Sequence, residues 1–168
     1  VEPFSVAYYA LMRVGNVNAS DTLVVLGAGP IGLAVTAASK ALGARTIVVE
    51  PVDFRQKAAR ELGADIVCSP DEIASVLAKD TEGRGANVVV EATGRPEVMA
   101  TALELAAFKG RVAYIGIDVG RKSPLVDELK KVLSGAGHTV ILSESEDSSA
   151  VSFSHLAQEK AQIGRAHV

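Results

Sequence analysis

Apolar residues arrive along this chain in short, near-continuous runs, each closed by a glycine, a proline or an acid. Thr22–Leu26 (TLVVL), Arg45–Val49 (RTIVV), Asp65–Cys68, Asn87–Glu91 and Arg111–Ile117 have this form, which is the pattern of parallel strands covered on both faces. Between the runs the pattern turns helical. Val35–Leu42 continues a helix of small residues with Gly43 at its C-terminal cap, and Asp53–Leu62 forms another, with Asp53 as N-cap and Gly63 as stop. Asp71–Lys79 is a third, and Pro96–Ala107 a fourth, opened by its proline and followed by a turn at Gly110. Strand and helix alternate without exception here. Parallel neighbours need crossovers, and crossovers are right-handed, so the pattern predicts an α/β fold: a doubly wound parallel sheet in three α/β/α layers. The expected strand order is 3-2-1-4-5, with His138–Leu142 available as a sixth. A ligand crevice in such a sheet lies beyond the carboxyl ends of the strands, where the order reverses.

The chemistry is concentrated after the first strand. Gly27, Ala28, Gly29, Pro30, Ile31 and Gly32 spell G-x-G-x-x-G between a strand and a helix. The first glycine permits the tight turn, the second lets backbone approach a pyrophosphate, and the third lets helix and strand pack closely. The helix so opened presents unpaired N–H groups and a positive dipole end to an anion. Glu50 closes the second strand about twenty residues on, where an acid grips the adenosine ribose of a dinucleotide. A carboxylate there accepts bonds from ribose hydroxyls and repels a 2′-phosphate, so the pattern indicates NAD rather than NADP. The expected fold is therefore Rossmann-like, with Gly27–Gly32, Glu50, Ala92–Gly94 and Ile115–Ile117 on one rim.

Composition narrows the classes. The chain has 168 residues, 48% of them hydrophobic, enough for one cored domain and too few for a second full one. Net charge is −3 with 4% aromatic residues and no basic helix face, which argues against nucleic acid as a partner. No signal sequence and no membrane-length apolar run is present in it, so a soluble, cytoplasmic protein is expected. The single cysteine, Cys68, excludes an internal disulfide and a Cys-rich metal site, and reads as a small buried hydrophobe.

Together these residues resemble the zinc-containing medium-chain alcohol and polyol dehydrogenases, in particular the sorbitol and threonine dehydrogenase branch. The resemblance runs from Val1 to about Ser123 and is carried by EPFSVAYYA, DTLVVLGAGPIGL, the spacing of Glu50 and Arg55, ELGAD, EATGRPEVM and GRVAYIGI. It implies a cofactor-binding fragment of an NAD-dependent dehydrogenase, with zinc in the full-length enzyme and a small alcohol or polyol as substrate. The full-length enzyme would be a homo-oligomer, and the fragment alone would bind cofactor without turnover. By this resemblance Gly27, Gly29, Pro30, Ile31 and Gly32 hold the pyrophosphate, with Ile31 reaching toward the nicotinamide. Glu50 holds the adenosine ribose, Arg55 lies along the adenosine side, and Thr93, Gly94, Ile115, Gly116 and Ile117 flank adenine or nicotinamide. Arg55 reads alternatively as a solvated helix arginine, and Thr93–Gly94 as turn chemistry. Glu2 stands where the family offers a further zinc ligand, or else is simply an acid at a helix N-terminus.

The flanks are read accordingly. Residues 1–20 form a helix containing Tyr8, Tyr9, Leu11 and Met12 and a linker, Gly15–Ser20, from a preceding catalytic domain; residues 21–123 form the NAD-binding domain. Residues 124–162 depart from the family, with a helix at Leu125–Leu133 where a loop is expected and a Ser- and acid-rich loop at Ser143–Ser154. A frameshift near Pro124 fits that departure. Ile163–Val168 (IGRAHV) matches a translated sequencing adapter and is set aside from the fold. His138, His155 and His167 have no ligand-like spacing and read as surface residues.

Three rivals remain at this stage. An S-adenosylmethionine-dependent methyltransferase would place an acid where Val25 stands, two residues before Gly27. A non-catalytic dinucleotide sensor leaves EPFSVAYYA unexplained. A zinc-free quinone reductase type would carry a small or basic residue near Glu50.

Overall fold

The computed structural model describes residues 2–116 and 139–142. A helix, α1 (Glu2–Tyr9), runs into a π-helical turn, Ala10–Val14, closed by Gly15 N–H donating to Ala10 O at 2.8 Å. Strands and helices then alternate: β1 (Thr22–Leu26), α2 (Pro30–Ala41), β2 (Arg45–Val49), α3 (Asp53–Glu61), β3 (Ile66–Cys68), α4 (Ile73–Asp80), β4 (Ala86–Glu91), α5 (Pro96–Leu105) and β5 (Ala106–Tyr114). A further strand, β6 (Thr139–Leu142), completes one six-stranded sheet of order β3-β2-β1-β4-β5-β6 with every pairing parallel. The expected doubly wound sheet is present, and the order reverses between β1 and β4.

Side chains alternate across each strand, so β1 feeds two cores. Leu23 and Val25 face one layer, with Ala7 and Leu11 of the N-terminal helical segment, Val35 and Ala38 of α2 and Ala59 of α3. Val24 and Leu26 face the other, with Ile73 and Leu77 of α4 and Ala102 and Leu105 of α5. Leu23, Val24, Val25, Ile47, Val48 and Val88–Val90 are fully buried. Each such side chain contributes about 1.5–3 kcal/mol over leaving it in water.

The sequence-based boundaries of β1 and β2 match the structure; those of β3, α4, β4 and β6 and the ends of α2 and α3 differ by one or two residues, β5 ends at Tyr114 rather than Ile117, and two further differences have a clear cause. Asp53 is the first residue of α3 rather than its cap; Val52 holds the cap position in extended backbone, with no side-chain cap bond. The fourth predicted helix was expected to reach Ala107, but α5 stops at Leu105. Ala106 and Ala107 instead begin β5, which pairs Ala86 with Ala106, slips, and resumes with Val88 opposite Arg111. The slip is absorbed where Lys109 takes a left-handed φ of 62° before Gly110. At the amino ends of the strands Arg111 donates to Asp21 at 2.6 Å and to Asn16 O at 3.1 Å, tying the linker to β5.

The expected helix at Leu125–Leu133, the loop at Ser143–Ser154 and residues 163–168 lie outside the described residues.

Candidate functional site

The three glycines of the first turn do three different jobs. Gly27 takes φ 95°, and a Cβ there would press on Thr93 Cγ2 at 2.7 Å. A Cβ on Gly32 would overlap Gly27 O, so that glycine exists to let α2 pack on its own turn. Gly29 has neither reason. Its φ of −72° suits any L-residue, and beyond its chain neighbours a Cβ would meet no atom of the described residues within 4 Å. What it leaves free is space directly ahead of α2. There Gly29 is the N-cap without any side-chain cap bond, and Pro30 is the first helical residue. The first intrahelical bond runs from Leu33 N–H to Gly29 O at 2.9 Å, so Ile31 and Gly32 carry N–H groups with no acceptor in the helix. A diphosphate fits this cradle by charge, by donor supply and by room.

Glu50 borders the cradle. It is 2% exposed, and its carboxylate accepts the Ala28 N–H at 2.7 Å through Oε2 and the Val52 N–H at 3.0 Å through Oε1. Gln56 steadies the same residue by donating to Glu50 O at 2.7 Å. Each carboxylate oxygen keeps a further lone pair for a ligand hydroxyl. The acid is thus fixed in orientation and built into the turn, whereas the sequence pattern shows only an acid at the end of a strand.

Across the reversal point, Glu91 at the end of β4 is a second buried acid, fully shielded from solvent. Its Oε1 accepts the Thr93 N–H at 2.6 Å, the Thr93 hydroxyl and the Gly94 N–H at 3.1 Å. Its main-chain oxygen accepts Ile115 N–H at 2.9 Å and Gly116 N–H at 3.0 Å. Burial pushes the Glu91 carboxyl up, and the bonds from Thr93 and Gly94 pull against that. A Cβ on Gly116 would overlap the Gly94 backbone and come within 2.8 Å of Glu91 Oε2, so the two loops are packed tightly on this one side chain. Sequence reasoning used EATG as a family mark and passed over Glu91 itself. An acid at the end of an otherwise apolar buried strand was the available signal.

The other expected residues divide. Gly27, Gly29, Pro30, Gly32, Glu50, Thr93, Gly94 and Gly116 gather at the carboxyl ends of β1, β2, β4 and β5. Ile31 and Ile115 are half-buried and pack on the α1–α2 side of the sheet. Arg55 is exposed on the first turn of α3, its guanidinium 5.6 Å from the centre of the Phe54 ring. Ile117, His138, His155 and His167 lie outside the described residues, and of Glu2 only the backbone, in α1, is described. Among the described residues no three His, Cys, Asp or Glu side chains converge as a metal site.

Cys68 is buried in the α4–α5 core, as expected. Burial, with a smaller push from Glu72, drives its thiol up to about 11.

A model of zinc-binding dehydrogenases matches residues 30–153, continuing past the Val1–Ser123 span that carries the sequence motifs. Scyllo-inosose 3-dehydrogenase of Thermotoga maritima is 40% identical over 140 residues, covering 79% of this chain and 35% of that protein. (R,R)-butanediol dehydrogenase of Bacillus subtilis is 41% identical over 120 residues, covering 70% of this chain and 34% of that protein. Among solved structures, an alcohol dehydrogenase of Thermotoga maritima superposes with a TM-score of 0.73 at 29% identity, over 82% of this chain and 39% of its own. The chain spans about a third of the length of the curated relatives it matches. The methyltransferase, sensor and quinone reductase alternatives gain no support from these similarities.

Proposed function

The chain belongs to the zinc-binding dehydrogenase family, and from that premise we propose that it is the NAD(H)-binding part of an oxidoreductase that moves hydride between a secondary alcohol or polyol and NAD. The observation that carries the reading is the open face of Gly29, set ahead of unpartnered α2 amides and beside the fixed carboxylate of Glu50. When bound, NAD supplies the hydride-transfer chemistry, and zinc in the full-length enzyme supplies polarisation of the alcohol oxygen.

The residues of this chain bind and orient. The N–H groups of Ile31 and Gly32 receive the diphosphate, while Gly27, Pro30 and Gly32 shape the turn that aims them. Glu50 takes the adenosine ribose and disfavours a 2′-phosphate, and Arg55 lies along the adenosine side. Thr93 and Gly94, with Ile115, Gly116 and Ile117, flank adenine or nicotinamide; the place of β4 and β5 beyond the reversal point favours the nicotinamide half, toward which Ile31 also reaches. Glu2 would add a carboxylate to a zinc held mainly by residues of a catalytic domain that residues 1–20 link to residues 21–123. The described residues do not by themselves assemble a site for zinc. The proposal includes a cytoplasmic homo-oligomer. No helix among the described residues is long and apolar enough to cross a membrane.

Calorimetric titration of the full 168-residue chain tests the reading. NADH should bind at least about tenfold more tightly than NADPH, because a phosphate beside Glu50 meets a like charge. A folded chain that binds neither, or both equally, overturns it.

A further inference from the structure

We propose that Glu91 is a positioning residue for the nicotinamide half of the cofactor: its carboxylate holds the Thr93–Gly94 rim against the glycine turn and thereby makes the site prefer a whole dinucleotide to its adenosine half. The inference rests on the NAD-binding reading above and assigns a role to a side chain that reading does not use.

Three observations carry it. First, location: β4 is the strand beside β1 at the point where the sheet order reverses, and Glu91 is its last residue. In a doubly wound sheet each half serves one mononucleotide of the ligand. Glu50 belongs to the β1–β3 half, Glu91 to the β4–β6 half.

Second, connectivity: the carboxylate takes the Thr93 and Gly94 amides and the Thr93 hydroxyl, and the carbonyl of the same residue takes the Ile115 and Gly116 amides. Both loops of the second half are therefore set by one residue. Thr93 passes that setting onward, since its methyl lies where a Cβ on Gly27 would come within 2.7 Å. The rim of the second half thus abuts the glycine turn, whose own shape is held separately by Glu50 through the Ala28 amide.

Third, cost: Glu91 is fully buried, and among the described residues none of its donors is a cation. A carboxylate taken out of water with only neutral donors is an expensive way to end a buried strand unless the groups it holds need an acceptor. Its bonds all go to loop residues on the crevice side, so what it contributes is the shape of the rim.

The experiment compares NADH with AMP, which carries the adenosine half alone, on the full chain by calorimetry, with far-UV circular dichroism to establish folding. Glu91→Leu removes the acceptor. NADH should weaken about tenfold, the effect of losing a hydrogen bond to a charged acceptor, while AMP stays within about twofold. Glu91→Gln keeps an oxygen at the Oε1 position and should recover most of the NADH affinity. Equal loss of NADH and AMP, no loss of either, or failure of Gln to rescue overturns the inference. Should Glu91→Leu not give the native spectrum, Glu91→Asp decides: it keeps the charge but falls one methylene short of Thr93 and Gly94. Selective loss of NADH then supports the proposal, and unchanged NADH affinity overturns it. Absence of NADH and AMP binding by the unaltered folded chain is a different result, which removes the NAD reading itself and this inference with it.

Discussion

The Glu50 carboxylate accepts the Ala28 amide at 2.7 Å, joining the end of β2 to the middle of the glycine turn. One side chain thus both braces the turn and offers lone pairs beside it. Glu50→Gln keeps the shape but removes the charge and one acceptor oxygen. NADH affinity should fall about tenfold or more, the scale of a bond to an ionised acceptor, and the advantage over NADPH should shrink toward parity. Paired titrations with the two cofactors measure this, and an unaltered preference for NADH would show that Glu50 is only a brace.

Gly29 and Gly32 should separate ligand binding from folding. Alanine at 29 meets no described residue beyond its chain neighbours, so thermal stability should change by less than about 0.5 kcal/mol while NADH binding is lost or weakened more than about tenfold. Alanine at 32 overlaps Gly27 O and should cost about 1–3 kcal/mol of stability. Thermal melts with and without NADH read both. A destabilised Gly29→Ala variant would contradict the assignment of its open face to a ligand.

Asp65 links the start of β3 to β2 by accepting Thr46 N–H at 2.7 Å and Lys40 Nζ at 2.8 Å. Burial pushes its carboxyl up, but the bonds from Lys40 and Thr46 and the charges of Lys40 and Arg45 outweigh that, leaving it below its ordinary 3.8. A depressed folded value means that the stabilisation is present above the unfolded value and is lost as pH falls through the folded one. Asp65→Asn should therefore cost about 1 kcal/mol near neutrality and progressively less below pH 3.8. Urea unfolding of both proteins across that range tests it, and a pH-independent difference would count against the pairing.

Cys68 should be inert in the folded protein. Its thiol is buried and raised to about 11, so almost none is thiolate at neutral pH. Iodoacetamide should modify it only on unfolding. Rapid labelling of the native chain at pH 7.5 would refute this burial.

The strands at the centre of the sheet were legible because their constraint is local and double. TLVVL and RTIVV are apolar at consecutive positions, which only burial on both faces explains, and glycine or an acid stops them abruptly. The start of β5 was not legible, because Ala106 and Ala107 are good helix formers that carry no signal of a strand. What places them there is pairing with Ala86, a partner twenty residues earlier in the chain, together with the left-handed turn at Lys109. Val52 displaces Asp53 from the cap position for a related reason. Its amide is already held by Glu50, so the helix entry is set from β2 rather than by a capping side chain.

At the site, spacing revealed the glycine turn and Glu50 because each motif position answers one steric or electrostatic demand. Glu91 was missed because its demand is three-dimensional. Thr93 and Gly94 follow it in sequence, but the Gly116 contact comes from another strand. Nothing in the letters E-A-T-G distinguishes an exposed strand-end acid from one holding two loops together.

The amides of Ile31 and Gly32 that lack an acceptor within α2 bear on how this protein should be handled. Phosphate and sulfate ions match the charge and the reach of the group these amides are shaped to receive, and at buffer concentrations they compete with it by mass action. Dissociation constants measured in phosphate would then be inflated in proportion to the salt. Titrations in an amine buffer with chloride as counterion give the intrinsic value, and the ratio between the two media reports the affinity of the bare oxyanion.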